Sequence, residues 1–158
     1  MNFYLKFLFV IILSFSNGYS QSLTLADLIK LNNLTEDNFD TFITSKGFKY
    51  NDFENLENAN QKSYVFYIKG IKNSYVSKFT YTSKNKEMVS FQTPNSSIYL
   101  NFKKELLRFG FSYKKTETYK NTTFMYYGKG NLELTLTSSI DQSRISGEKT
   151  FYEISISK

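Results

Sequence analysis

The sequence predicts an α+β fold of two αβββ repeats, with the helices packed on one face of an antiparallel sheet. Three observations carry that expectation. Phe39 to Tyr50 and Phe102 to Tyr113 place Phe, an aliphatic residue, Gly-Phe and Tyr at the same offsets. Shorter likenesses follow in the same order: Tyr67-Ile-Lys-Gly70 with Tyr127-Gly-Lys-Gly130, Phe79-Thr-Tyr-Thr-Ser83 with Leu134-Thr-Leu-Thr-Ser138, and Val89-Ser-Phe91 with Ile154-Ser-Ile156. Several of these segments also alternate apolar and polar residues, the period of half-buried antiparallel strands. An internal repeat constrains architecture strongly, because each copy tests the reading of the other.

Residues 1–20 have the layout of a secretory signal peptide. Lys6 is their only charge, an apolar run from Phe7 to Phe15 is broken only by Ser14, and Gly18 and Ser20 precede Gln21. A transmembrane anchor is the competing expectation, but the run is far short of the roughly 20 apolar residues that span a bilayer. Cleavage near Ser20 implies export to the periplasm or the cell exterior, with no integral span. The remaining chain divides into a first repeat with an extra N-terminal helix, residues 21–93, and a second repeat, residues 94–158.

The extra helix runs from Thr24 to Leu31 and carries Leu25, Leu28, Ile29 and Leu31 as an apolar stripe. In the first copy Thr35 is the N-cap, Glu36 and Asp37 suit the positive end of the helix dipole, and Phe39, Phe42 and Ile43 form the buried face. Gly47 ends this helix, with Phe48 and Ile43 positioned for the hydrophobic contact of a Schellman cap. Gly110, Phe111 and Leu106 fill the same roles in the second copy, whose N-cap is Ser96 or Ser97 after Pro94, the single proline. Three strands then follow each helix: Tyr64–Ile68, Lys78–Thr82 and Met88–Thr93 in one copy, Thr123–Tyr127, Leu132–Thr137 and Phe151–Ser157 in the other. Phe79 and Tyr81 are expected inward with Val89 and Phe91, as are Leu132, Leu134 and Leu136 with Tyr152, Ile154 and Ile156. Gly70 and Gly130 occupy hairpins that need positive φ. Asp52, Glu54 and Glu57 read as a solvated loop.

Composition narrows the chemistry. The chain has no His, Cys or Trp, which removes Ser-His-Asp and Cys-His catalysis, thiol redox chemistry, and zinc sites of imidazole or thiolate. There is no phosphate-loop motif, and the acidic residues are too dispersed to suggest a two-carboxylate hydrolase. The expectation is a non-enzymatic protein without a cofactor or metal. Without disulfides, the core alone must stabilise it, and 16 Phe and 13 Tyr point to an aromatic one. After residue 20 the chain carries 19 basic and 14 acidic residues. They are scattered, as on a solvated Lys-rich exterior, although the second repeat is the more basic and could favour an acidic partner.

The candidate partner-binding residues are apolar side chains on the first strand of each repeat. If Tyr64, Phe66 and Ile68 face the helices, Val65 and Tyr67 point outward, and Met125 and Tyr127 do so across the repeat, flanked by Lys69 and Lys129. Tyr and aliphatic groups rimmed by charge are characteristic of protein-binding surfaces. The competing expectation is that the N-terminal helix covers that face and makes it ordinary core. The favoured partner is another protein or a peptide. The alternative is a polyanion or nucleic acid held by Tyr and Lys.

The segment Ser22-Leu-Thr-Leu-Ala-Asp-Leu-Ile-Lys-Leu31 leading to Lys46-Gly-Phe48, with the signal peptide and absent cysteines, resembles small exported proteins of Bacteroidetes bacteria. The tandem helix-plus-meander layout is similar to the beta-lactamase inhibitor protein fold, whose disulfides this chain lacks. That likeness of layout implies a protein-binding sheet surface and carries over no functional residue.

Overall fold

The computed structural model describes residues 23–66, 73–81, 86–141 and 149–158, with the side chains of Asp141 and Lys149 set aside. The expected signal peptide lies outside them, as do Gly70 and its turn. The fold is α+β. Helices α1 (Leu25–Leu31) and α2 (Glu36–Ser45) precede strands β1 (Lys49–Asn55), β2 (Ala59–Phe66), β3 (Ser74–Tyr81) and β4 (Lys86–Thr93). Helix α3 (Ser96–Arg108) precedes β5 (Ser112–Tyr119), β6 (Thr122–Lys129), β7 (Leu132–Asp141) and β8 (Lys149–Ser157). The eight strands form one antiparallel sheet in the order β1-β2-β3-β4-β8-β7-β6-β5.

Each half therefore has four strands after its helix, not the expected three. The added ones, β1 and β5, are the sheet edges, and every residue in them is exposed. Both carry a break in register at the same place, between Tyr50 and Asp52 and between Tyr113 and Lys115. Such bulges twist an edge and blunt its capacity to pair with other chains. Asp52 and Glu54, expected in a loop, lie on β1.

The helix ends form as the sequence predicts. Phe48 N–H donates to the Ile43 carbonyl and Gly47 N–H to that of Thr44; Phe111 and Gly110 repeat this on Leu106 and Leu107. Gly47 and Gly110 have φ of 84° and 75°, the left-handed conformation that a Schellman cap needs and glycine adopts without a Cβ penalty. The N-cap of α3 is Asn95 rather than a serine: its Oδ1 accepts from Ser97 and Ile98 N–H at 2.9 and 3.4 Å. Thr35 occupies the N-cap of α2 without a side-chain cap bond.

The three helices of the described residues lie on one face of the sheet and share one core. Leu25, Leu28 and Leu31 of α1, Phe39 and Ile43 of α2, and Tyr99, Phe102 and Leu106 of α3 pack on Tyr64, Val76, Val89, Phe91, Leu134, Leu136, Ile154 and Ile156. The pairs Phe91–Ile154 and Val89–Ile156 flank Ser90–Ser155, so an approximate twofold axis passes between β4 and β8. Helix α1 packs on the helix side and leaves the other face uncovered by the described helices. On β3, Val76 and Lys78 point to the helices, which turns Phe79 and Tyr81 outward, opposite to expectation.

Helix α1 has only seven residues and is held at both sides. Asp27 accepts from Thr24 N–H at 3.0 Å, Thr24 Oγ1 accepts from Asp27 N–H, and Lys46 Nζ lies 3.0 Å from Asp27. Leu25 N–H donates to Glu105 of α3 at 2.9 Å. Burial raises the Asp27 carboxyl, but the hydrogen bonds from Thr24 and the Lys46 ammonium outweigh it and hold the group below its ordinary 3.8. A depressed carboxyl contributes stability that is present above its unfolded value and lost as pH falls through the folded one. Asp27→Asn is expected to lower stability by about 1 kcal/mol at neutral pH. In urea titrations across pH, its deficit should shrink below about pH 4. A deficit that is constant across acid pH would rule out the charged box as its origin.

Candidate functional site

The sheet face away from the helices is built in rows, because residues directly opposite in an antiparallel sheet point the same way. The central row runs Asp52, Ser63, Ser77, Ser90, Ser155, Thr135, Tyr126, Lys115 across all eight strands. Four serines and a threonine thus form a low band, with bulkier groups beside it. Phe79 and Met88 flank it on one side, Tyr75, Gln92 and Phe124 on the other.

Over the second half this band opens into a groove of about 450 Å³, a size typical of ligand sites. Its floor carries the hydroxyls of Thr135, Ser155 and Ser157, with Met88 and the half-buried Tyr126 as its apolar groups. Among the described residues these three hydroxyls have no hydrogen-bond partner, whereas two first-half serines of the same row do: Ser63 accepts from Asn51 and Ser77 from Gln61, both at 3.2 Å. Phe124 and Tyr126 stack with 18° between their planes.

Lysines rim the groove. Lys86 and Lys114 reach opposite oxygens of Glu133, at 3.2 and 3.5 Å, and hold its carboxyl below the usual range, the Lys86 hydrogen bond first. Lys115 contacts Glu117 at 2.6 Å and sits 5.0 Å over the Tyr126 ring. Gly128 makes the Lys114 contact possible. A Cβ there would come within 2.4 Å of Lys114 Cε, so the absent side chain lets the lysine stem lie across β6 toward Glu133.

A second, smaller cavity of about 290 Å³ opens on the helix side beside Glu36, Asp40, Lys62 and Lys78. Its charges are committed to one another. Lys62 binds Asp40 and Glu36, the Tyr64 hydroxyl donates to Asp40, and Lys78 binds the Leu34 carbonyl and Glu87. Asp40 keeps the Lys62 ammonium charged above its ordinary range, while burial and then Asp40 raise the Tyr64 phenol. Neither group is poised as a base or nucleophile near neutral pH, and the cluster braces α2 and its approach loop on the sheet. Among the described residues, no group of three acidic residues is placed to hold a metal ion.

The expected partner-binding residues do not form one surface. Tyr127 lies in the core on the helix side, 7% exposed and edge-on to Tyr113 at 5.7 Å, and burial raises its phenol. Met125, on the same side, packs against that core. Val65 does point away from the helices, but it is buried and lies in the other half. Lys129 is exposed and caps α3 by donating to the Phe109 carbonyl at 2.6 Å. Tyr67 and Lys69 fall outside the described residues.

A register slip explains the misplacement. Tyr50 pairs with Tyr64 and Tyr113 with Tyr127, ring edge to ring face in both halves, so Tyr64 rather than Tyr67 is the counterpart of Tyr127. The slip is three residues, and any odd slip moves a strand's side chains to the other face. Carrying the spacing between Phe39 and Phe102 forward without a gap leads to Tyr64 and Tyr127, a signal available in the sequence. Tyr126 was missed for the same reason, whereas the alternation of β7 already turned Thr135 outward and nothing in it marked a groove. Comparison with known protein families, with curated proteins and with solved structures finds no match to this chain.

Proposed function

We propose that the chain is an exported, non-catalytic binding module that docks another protein or a peptide on its helix-free sheet face. The observation that carries this reading is the groove over β4 and β6–β8, where Tyr126, Met88 and three hydroxyls unpartnered among the described residues lie inside a charged rim, with Phe124 stacked on Tyr126 just outside it. An aromatic and methionine centre with a polar border is the anatomy of a protein-docking patch. The layout expected from the sequence, similar to the beta-lactamase inhibitor protein fold, supports a sheet surface as the binding element by analogy alone. A polyanion is the weaker reading, because Glu117 and Glu133 stand among the lysines and would repel a dense negative charge.

The test is capture on the immobilised protein from envelope extract and culture medium of the producing cell. A retained protein that withstands high salt, and is lost with Tyr126→Ala plus Met88→Ala while circular dichroism is unchanged, supports the module. If retention is confined to polyanions released by salt, the second reading replaces the first. If the double variant retains the same protein undiminished, this face is not the docking surface.

A further inference from the structure

The twofold relation of the sheet allows the groove to be compared with its own counterpart in the first half. The central row maps onto itself end for end, so Lys115 corresponds to Asp52, Tyr126 to Ser63, Thr135 to Ser77 and Ser155 to Ser90. The neighbouring rows exchange, so that Met88 corresponds to Glu153, Ser157 to Gln92 and Glu133 to Tyr75. The groove thus has Lys86, Lys114 and Lys115 around Glu133, whereas the positions corresponding to its lining hold Asp52 and Glu153 and no lysine, with Lys49 beyond them beside Val65. The same backbone surface is basic at one end and acidic at the other.

Resting on the docking-face reading above, we propose that the groove over β6–β8 receives an acidic, extended segment of the partner protein. One partner carboxylate sits between Lys86 and Lys114, and an apolar or aromatic neighbour lies on Tyr126 and Met88. The charges are sparse: three ammoniums share two carboxylates, Glu117 and Glu133, which leaves one positive charge unmatched. That pattern fits isolated carboxylates spaced by hydroxyl or apolar residues. The native ion pairs here are largely exposed, and such pairs are worth little, so an incoming carboxylate can exchange with Glu133 at small cost. The hydroxyls of Thr135 and Ser155, unpartnered among the described residues, supply hydrogen bonds to the segment. Asp52 and Glu54 on the far edge strand, and Glu153 on β8 beside the groove, repel the same segment and orient it.

Amide chemical-shift mapping on the isotopically labelled protein tests this with three short, end-blocked peptides: alternating Glu and Tyr, alternating Lys and Tyr, and Ser and Tyr. The expected result is that only the Glu peptide shifts the amides of Tyr126, Thr135 and Ser155, with an affinity that falls as NaCl rises from about 50 to 500 mM. Lys86→Glu with Lys114→Glu should weaken it by about tenfold or more. Gly128→Ala, a strand substitution that lifts the Lys114 stem, should weaken it by about twofold. Equal shifts from the Ser peptide would overturn the requirement for acid while leaving the docking face in place. If no peptide shifts these amides, the acidic-segment proposal fails, and capture, which assumes no charge on the partner, judges the face separately. If heparin displaces the Glu peptide at equimolar concentration, a polyanion is the occupant and the proposal is overturned.

Discussion

Replacing Phe91 with alanine is expected to cost about 3–5 kcal/mol of folding free energy. Phe91 is 1% exposed, on the strand beside the twofold axis. Its ring meets Phe48 of the first half at 6.4 Å and Phe102 of the second at 5.9 Å. Its removal therefore opens a cavity where the two halves share their core, and neither half can close it alone. Urea denaturation at neutral pH measures the loss; a single transition with a lower midpoint and unchanged slope is the expected form. A loss under about 1 kcal/mol would show that the two halves do not depend on this junction. Two separate transitions would show that they unfold independently.

The adjacent tyrosines of β6 should behave oppositely. Tyr127→Ala is expected to destabilise by about 3 kcal/mol, since it removes a buried ring between Tyr113 and the core and leaves Tyr99 with one fewer neighbour. Among the described residues the Tyr99 hydroxyl is already buried without a partner, its phenol pushed up to about 12 by burial and then by Tyr127 and Tyr152. Tyr126→Ala, on the half-exposed face, should change stability by no more than about 1 kcal/mol while weakening capture of the partner. Paired denaturation and binding measurements separate the two. If Tyr127→Ala keeps full stability but loses binding, the face assignment of β6 is wrong.

That contrast turns on one residue of register, and register is where reading the chain alone stops. Leu132, Leu134 and Leu136 alternate with polar residues, so their inward side was legible. On β3 both parities hold large apolar groups, Val76 on one side and Tyr75, Phe79 and Tyr81 on the other. Hydrophobicity favoured the parity of Phe79 and Tyr81, yet the buried position opposite Val89 went to Lys78, whose ammonium is satisfied by the Leu34 carbonyl and Glu87. A buried lysine is a poor guess from sequence because its partners lie on distant segments. The edge strands were hidden for another reason. Lys49–Asn55 and Ser112–Tyr119 bury nothing, so they carry little apolar alternation, although the shared Tyr50 and Tyr113 marked where they begin.

By itself the sequence determined the α+β class, the two helix ends at Gly47 and Gly110, and the inner strands at the twofold axis. Each of these rests on local backbone conformation or on a one-sided apolar pattern, which neighbours in the chain suffice to specify. Only the tertiary structure decided the count of four strands per half, the face on which each tyrosine lies, and the groove that joins Tyr126, Thr135 and Ser155 with Lys86 and Lys114. Those depend on which strand pairs with which and in what register, and pairing energy is gained only when residues far apart in the chain meet.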